Sequence, residues 1–255
     1  MFWFKKWRRN RRARRQFPEG WLKIIETNVP FYNRLPLDDR TELQRHILIF
    51  IGEKIFEGCG GLKITDEIKV TIAAQACILL LHRKTDYYPG LSSILVYPTA
   101  FIPSRTQQLA SGIVAEVPQV LLGESWHRGS VVLSWDNVKR SAADIHDGHN
   151  VVLHEFAHQI DSTWGKGDST AVLKNRSSYI AWARVLQKDY EKLRHAATEN
   201  LPTFLDKYGA AEPAEFFAVA TEFFFERPKE LKEIHPQLYK ELENFYQQDP
   251  AGLSS

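Results

Sequence analysis

The chain has 255 residues, of which 44% are hydrophobic and 25% charged, a balance typical of a globular protein that buries its own core. No stretch approaches the roughly 18 to 20 consecutive apolar residues that cross a bilayer, which excludes an integral membrane protein. Only two cysteines occur, Cys59 and Cys77, so a disulfide framework and a cysteine-rich zinc module are excluded as well. We expect a cytoplasmic protein in which both cysteines are small core or loop residues.

Positive charge is concentrated at the N-terminus, although the net charge of the chain is only +2. Beyond the first fifteen residues, 25 basic residues face 31 acidic ones, a net charge near −6 that disfavours nucleic-acid binding by the body. Because blocks of like charge repel, we expect residues 1–16 to form a basic, unstructured arm and residues 17–255 to form one domain. The arm either contacts an anionic membrane or nucleic acid, helped by its aromatic residues, or stays solvated without a ligand. Its basic residues are Lys5, Lys6, Arg8, Arg9, Arg11, Arg12, Arg14 and Arg15, and its aromatic residues are Phe2, Trp3, Phe4 and Trp7.

The first half of the domain is predicted to be helical. After Asp38 and Asp39, apolar residues recur at helical spacing until a glycine-rich stretch ends the segment. A second helix is predicted to open at Thr65, whose hydroxyl can cap it, and to run to about His82. The apolar residues of the first helix are Leu43, Ile47, Phe50, Ile51 and Ile55, and the glycines after it are Gly58, Gly60 and Gly61.

The middle of the chain changes to short β-branched and aromatic runs bounded by Pro, Gly and Ser, a pattern that favours strands. We predict a small, mainly antiparallel sheet from Ser93–Tyr97, Gly112–Val117 and Ser130–Trp135. Strands between two helical blocks indicate an α+β domain rather than a wound parallel sheet. The helices predicted after the strands are about Val151–Ser162, Tyr179–Ala197, Ala214–Phe225 and Leu238–Tyr246.

The stretch that carries chemistry is a His-Glu-x-x-His sequence beginning at His154. Residues i and i+4 share one face of a helix, so His154 and His158 can present two imidazole nitrogens to one metal ion, for which zinc is expected. Glu155 can then reach a metal-bound water and serve as the general base of peptide hydrolysis. A chance match on a solvated helix is the alternative, but two unliganded histidines in so apolar a frame would carry a desolvation cost. The frame consists of Leu153, Phe156, Ala157 and Ile160.

A catalytic zinc ion needs a third protein ligand. A histidine six residues after His158 would indicate a metzincin, but Trp164 occupies that position, so that class is excluded. The remaining common solution is a carboxylate from a later helix, and the segment that begins at Pro213 offers Glu215 and Glu222 among several phenylalanines. These two glutamates lie seven residues apart on one helical face, so their spacing does not show which of them is the third ligand.

Longer stretches of the chain resemble one family of proteins. The chain resembles the Mlc titration factor A family of bacterial zinc peptidases, whose catalytic region is similar to that of anthrax lethal factor. The resemblance implies a zincin-like domain of the gluzincin type, in which His154, His158 and Glu215 bind one zinc ion and Glu155 is catalytic. The Arg-rich start is not part of the family pattern that we identify. The resemblance covers most of residues 20–250 and rests on Tyr97-Pro98, Val131–Trp135, the His154 helix, Pro213–Val219 and Phe245–Pro250.

The same resemblance implies that Tyr208 lies near the metal, where its hydroxyl would stabilise the oxyanion. Packing at a helix start is the other interpretation of this residue. The family further implies cleavage of small peptides in the aminopeptidase manner, and binding of the glucose repressor Mlc. The alternative is a non-catalytic regulator that sequesters a transcription factor and in which the zinc site is structural.

Three polar residues near the His-Glu-x-x-His sequence each allow more than one role. Asp161, one turn beyond His158, either orients a ligand histidine or serves as a helix charge or cap. His146 and His149 lie in a polar turn before the zinc-binding helix, and its Asp, Gly and Asn content favours a plain loop over a metal site.

Overall fold

The computed structural model describes residues 2–99, 104–108, 114–118, 123–124, 129–162 and 176–253. Helices predominate and are accompanied by a small sheet, in line with an α+β domain. None of the helices in these ranges combines the length and apolar character needed to span a membrane. The helices are α1 (Phe2–Ala13), α2 (Glu19–Asn28), α3 (Pro30–Arg34), α4 (Leu37–Glu53), α5 (Asp66–Ile78), α6 (Trp135–Ala143), α7 (Val151–Asp161), α8 (Arg176–Thr198), α9 (Pro213–Glu226), α10 (Pro228–Ile234) and α11 (Pro236–Tyr246). The strands are β1 (Ile55–Gly58), β2 (Ser93–Tyr97), β3 (Ser104–Gln108), β4 (Val114–Pro118), β5 (Gly123–Glu124) and β6 (Ser130–Ser134).

The prediction of a mainly antiparallel sheet is wrong. The central sheet has the order β1-β2-β6-β5, and its three longer strands, β1, β2 and β6, are parallel. Only the two-residue β5 runs antiparallel to β6, while β3 and β4 form a separate antiparallel ribbon. The reason is that the chain between β1 and β2 forms the helix α5, and a helical crossover returns the chain to the same end of the sheet. Ile55, predicted as part of the preceding helix, is instead the first residue of β1.

Most predicted helices occur at their predicted positions with shifted ends. Thr65 caps α5 as predicted, because its hydroxyl oxygen accepts a hydrogen bond from the backbone N–H of Ile68 at 3.3 Å. That helix ends at Ile78 rather than near His82. Strand β6 ends at Ser134, and Trp135 instead begins α6. The strand predicted at Gly112–Val117 corresponds to β4, and its first two positions fall outside the described residues.

The N-terminal arm, for which we expected no regular structure, contains the helix α1. Arg9 is its anchor: the guanidinium donates two hydrogen bonds of 2.8 Å to Glu53 and one of 2.5 Å to a carboxylate oxygen of Asp86. The same group lies 4.6 Å from the ring centroid of Tyr87. Acidic partners on the body thus offset the repulsion within the basic block. The domain boundary at residue 16 stays a prediction.

The core brings α7 and α9 together. Phe156 of α7 is fully buried and packs against Tyr88 and Phe50, with ring centroids 4.8 and 5.7 Å apart. Helix α9 is buried over almost its whole length, which is why its sequence is so rich in phenylalanine. The polar residues that α7 and α9 carry on their facing sides are therefore held in an apolar frame, at fixed positions relative to one another.

Candidate metal centre

Helix α7 begins at a well-defined cap. The side-chain oxygen of Asn150 accepts hydrogen bonds from the backbone N–H groups of Val152 and Leu153, at 3.1 and 3.0 Å. These bonds satisfy two of the donors that a helix start leaves without partners. The cap fixes where the helix begins, and helical spacing then puts His154 and His158 on one face.

The structure brings three of the predicted residues together. One carboxylate oxygen of Glu215, on the first turn of α9, lies 3.0 Å from Nε2 of His154 and 3.5 Å from Nε2 of His158. The two histidine Nε2 atoms are themselves 3.2 Å apart. One potential donor atom from each of the three residues lies within 4.8 Å of the other two.

Glu222 has a different place in the same cluster. One of its carboxylate oxygens lies 2.5 Å from Nδ1 of His154, on the side of the ring that faces away from Glu215. Its other oxygen accepts a hydrogen bond from the backbone N–H of Asn150 at 2.6 Å. Both glutamates that the sequence left as alternatives therefore face α7, and they contact opposite nitrogens of one imidazole ring. For His154, the orienting contact that we considered for Asp161 belongs to Glu222.

The charges around His154 favour a cation. Burial opposes protonation of this histidine, but hydrogen bonds to Glu215 and Glu222 outweigh that effect and raise its pKa to about 10. Burial also opposes ionisation of Glu215, yet its contacts with His154 and His158 lower its pKa to about 2. Two imidazoles and a carboxylate are also a donor set that zinc prefers. The residues present therefore fit a zinc ion.

The environment of Glu155 also favours a reactive site. The side chain is only 3% exposed, and among the described residues its Oε2 atom has no hydrogen-bond partner. Burial raises its pKa to about 7. A buried carboxylate oxygen without a partner is costly, so its retention calls for an explanation other than stability. A pKa near neutrality is the value that lets one carboxyl group both accept and return a proton.

Tyr208 lies at the open side of the cluster. It belongs to a short 3₁₀ turn, Lys207–Ala210, and its ring centroid is 6.0 Å from that of His154. The side chain is 58% exposed. Partial burial raises its pKa, and the negative charges of Glu215 and Glu155 raise it further, so the hydroxyl keeps its proton. Tyr208 is thus near the candidate metal ligands, as the resemblance implied.

Sequence reasoning missed a buried network that precedes α7. Glu226, one turn after Glu222, accepts hydrogen bonds from the backbone N–H of Gly148 at 3.1 Å and from the side-chain amide of Asn150 at 3.0 Å. Burial raises the pKa of Glu226 to about 9. The available signal was the four-residue spacing of Glu222 and Glu226 on a helix otherwise lined with phenylalanine.

The other predicted polar residues lie where turn chemistry explains them. The backbone N–H of His146 donates to the side chain of Asp144 at 3.0 Å, and that of His149 donates to the side chain of Asp147 at 2.8 Å. Each of these two hydrogen bonds closes a local turn. Neither histidine belongs to the metal-type clusters found among the described residues. Cys77 is buried and Cys59 half-buried, and both are free thiols.

Comparison with known families decides the class of protein. The model of the glucose-regulated metallo-peptidase M90 family matches residues 4–247. The chain belongs to the M90 family. M90 membership makes it a metallopeptidase, which implies a metal ion, typically zinc, and it confirms the resemblance noted in the sequence. Because the M90 match begins at residue 4, our view that the Arg-rich start lies outside the family pattern is wrong.

Individual relatives cover nearly the same region. An uncharacterized protein of Synechocystis sp. is 40% identical over 245 residues, which are 96% of this chain and 89% of the relative. Mlc titration factor A of Serratia proteamaculans is 34% identical over 85% of this chain and 84% of its own. Mlc titration factor A of Klebsiella pneumoniae is 29% identical, with 87% and 84% covered.

Proposed function

We propose that this M90 protein is a zinc-dependent peptidase of the gluzincin type. His154, His158 and Glu215 hold one zinc ion, and Glu155 acts as the general base. The observation that carries this proposal is the meeting of three donor atoms within 4.8 Å, beside a buried carboxylate that has no partner among the described residues.

The chemistry divides between the metal and the protein. A bound zinc ion supplies Lewis acidity, which polarises a carbonyl oxygen and lowers the pKa of water. Glu155 takes the proton of the attacking water on a carboxylate oxygen and later delivers it to the nitrogen of the leaving amine. Its pKa of about 7 suits both transfers. Glu222 holds Nδ1 of His154 and so keeps Nε2 directed towards Glu215.

Tyr208 is proposed to stabilise the oxyanion that forms when water attacks the peptide carbonyl. A side chain that is half exposed beside the cluster can reach a substrate, and its raised pKa keeps the hydroxyl a hydrogen-bond donor. Loss of one such donor typically costs about 10²-fold in rate. Packing at a helix start, the alternative role of this tyrosine, would require only its ring.

The proposal extends to the substrate class and the binding partner. We infer that the enzyme cleaves small peptides from their N-terminus, acts in the cytoplasm and binds an Mlc-like repressor. The support for these inferences is the resemblance to the Mlc titration factor A family, whose name refers to Mlc. The same name also supports a second candidate function, in which the protein only sequesters a transcription factor and its zinc site is structural.

One set of variants tests the proposal. We would measure the metal content and peptidase activity of the wild type, Glu155→Gln and Glu215→Ala, with Glu212→Gln as a control at an exposed glutamate near the same site. We expect about one zinc ion per wild-type chain, retained zinc with at least about 10²-fold lower turnover in Glu155→Gln, and lost zinc in Glu215→Ala. The control should resemble the wild type. Bound zinc without peptidase activity in any of these proteins would instead favour the regulator, and unchanged turnover in Glu155→Gln would contradict the role of Glu155 as general base.

A further inference from the structure

Helix α1 has an inner and an outer face. On the inner face, Arg9 is held by Glu53 and Asp86, and Lys5 forms a further ion pair with Asp86 at 2.8 Å. Ala13 packs against the hydrophobic core. These contacts fix which side of the helix meets the body, and the opposite side is therefore presented to the solvent.

The outer face combines aromatic and basic side chains. Phe4, Trp7, Arg8 and Arg11 follow the i, i+3, i+4, i+7 spacing, which places them within an arc of about 100° on a helix. Phe4 is 76% and Trp7 54% exposed, and Arg8 and Arg11 are exposed as well. We call these four residues the outer face of α1.

The cations of this region have no acidic partners within the described part of the chain. Lys6, Arg8 and Arg11 are exposed and form no ion pair there, and the same holds for Arg14 and Arg15, which follow the helix. Since the rest of the chain carries a net charge near −6, the basic surface is local to this helix. A negatively charged partner would meet five cations without a described ion pair between Lys6 and Arg15.

The aromatic side chains decide between the two kinds of anionic partner. The arginines would attract either partner and the acidic body would repel either one, so charge alone does not choose between them. The interface of an anionic bilayer instead accommodates Phe and Trp at the level of the lipid headgroups while attracting Lys and Arg. Exposed aromatic side chains that lie beside exposed cations can enter the headgroup layer of an anionic bilayer while the cations contact lipid phosphates.

We propose that the outer face of α1 binds this peptidase to the surface of an anionic lipid bilayer. Phe4 and Trp7 insert among the lipid headgroups, and Arg8 and Arg11 contact the lipid phosphates. Arg9 attaches the helix to the catalytic domain through Glu53 and Asp86, so the domain is held at the membrane surface.

Co-sedimentation of the full chain with vesicles tests this proposal. One vesicle population is phosphatidylcholine alone, and the other contains about one third phosphatidylserine. We expect binding only to the anionic vesicles. Arg8→Gln with Arg11→Gln should weaken that binding on the order of 30-fold, because each cation near an anionic surface contributes a several-fold factor. Phe4→Ser with Trp7→Ser should weaken it at least about tenfold.

Matched controls separate the outer face from general effects. Leu201→Ser with Ile234→Ser removes two exposed apolar side chains from elsewhere on the surface, and Lys23→Gln with Lys63→Gln removes two exposed cations. Both controls should bind anionic vesicles as the wild type does, and thermal unfolding should show that every variant is folded. Three outcomes would overturn the proposal: no binding to anionic vesicles, unchanged binding by the aromatic variant, or binding of a DNA duplex in place of vesicles.

Discussion

Glu222 lies 2.5 Å from Nδ1 of His154 and thereby determines which nitrogen of that ring faces Glu215. If Nδ1–H donates to the carboxylate, the lone pair of Nε2 is free to bind a cation. The second oxygen of Glu222 accepts from the backbone N–H of Asn150, so the orientation of the ring is tied to the start of α7.

We therefore predict that Glu222→Gln weakens zinc binding by about 10- to 100-fold while the three proposed ligands remain. An amide can accept from only one of the two donors that the carboxylate now serves, so the ring loses its fixed orientation. Competition with a metal chelator measures the affinity. Glu233→Gln, at an exposed position on the neighbouring α10, is the control. Wild-type affinity in Glu222→Gln would show that its contact with His154 does not orient a ligand.

The second prediction concerns pH and stability. Burial raises the pKa of Glu226 from 4.5 to about 9, so between these values the folded state binds a proton that the unfolded state has released. The free energy of unfolding should then fall as the pH rises through this window, by up to about 1.4 kcal/mol per pH unit. Urea unfolding of the wild type and Glu226→Gln at several pH values measures the effect. The variant should be less stable at low pH, where it lacks one hydrogen-bond acceptor, and should show a flatter pH dependence. Parallel curves would contradict the prediction.

Gly148 occupies a position that leaves no room for a side chain. Its φ of +84° lies in the left-handed region, and a Cβ there would stand 2.9 Å from two ring atoms of Phe223, which is buried. We predict that Gly148→Ala costs about 1 to 3 kcal/mol of unfolding free energy. Gly20→Ala is a matched control, because a Cβ added at this helical position would have no atom within 4 Å. The control should be neutral or slightly stabilising. Equal effects of the two substitutions in urea unfolding would refute this explanation.

The fourth prediction compares adjacent arginines on α1. Arg9→Ala leaves the carboxylates of Glu53 and Asp86 without their main partner, and we expect a loss of about 2 kcal/mol in unfolding free energy. Arg8→Ala removes an equal charge from an exposed position and should change stability by less than about 0.5 kcal/mol. Hydrogen exchange should also accelerate in α1 of the first variant alone. Equal stability of both variants would mean that Arg9 does not hold the helix.

The candidate metal cluster could be predicted from the sequence because its main relationships are local. Helical spacing alone puts His154 and His158 on one face. Helical spacing could not show which of Glu215 and Glu222 is the candidate metal ligand, since residues seven positions apart lie on nearly the same face of a helix. What separates them is the way α9 lies against α7, a tertiary relationship that brings one glutamate to Nε2 and the other to Nδ1 of His154.

The errors in the fold have a shared physical cause. Strand direction depends on which segments pair, and the pairing of Ile55 with Ser93 across a helical crossover is not visible in local periodicity. The formation of helix α1 likewise depends on contacts of Arg9 with Glu53 and Asp86, which lie 44 and 77 residues away along the chain. Charge composition describes repulsion within a segment but contains no information about distant partners.

Strand β1, at the outside of the described sheet, has a consequence for self-association. An unpaired strand edge is a template on which a second copy can add a strand and begin to aggregate. This edge is only four residues long and carries the exposed charge of Glu57. At its end, Gly58 lies so close to the carbonyl of Leu62 that an added Cβ would be 1.9 Å from that oxygen. A short, charged strand covered at one end by its own loop is poorly suited to such pairing, so the edge helps to keep the protein from aggregating.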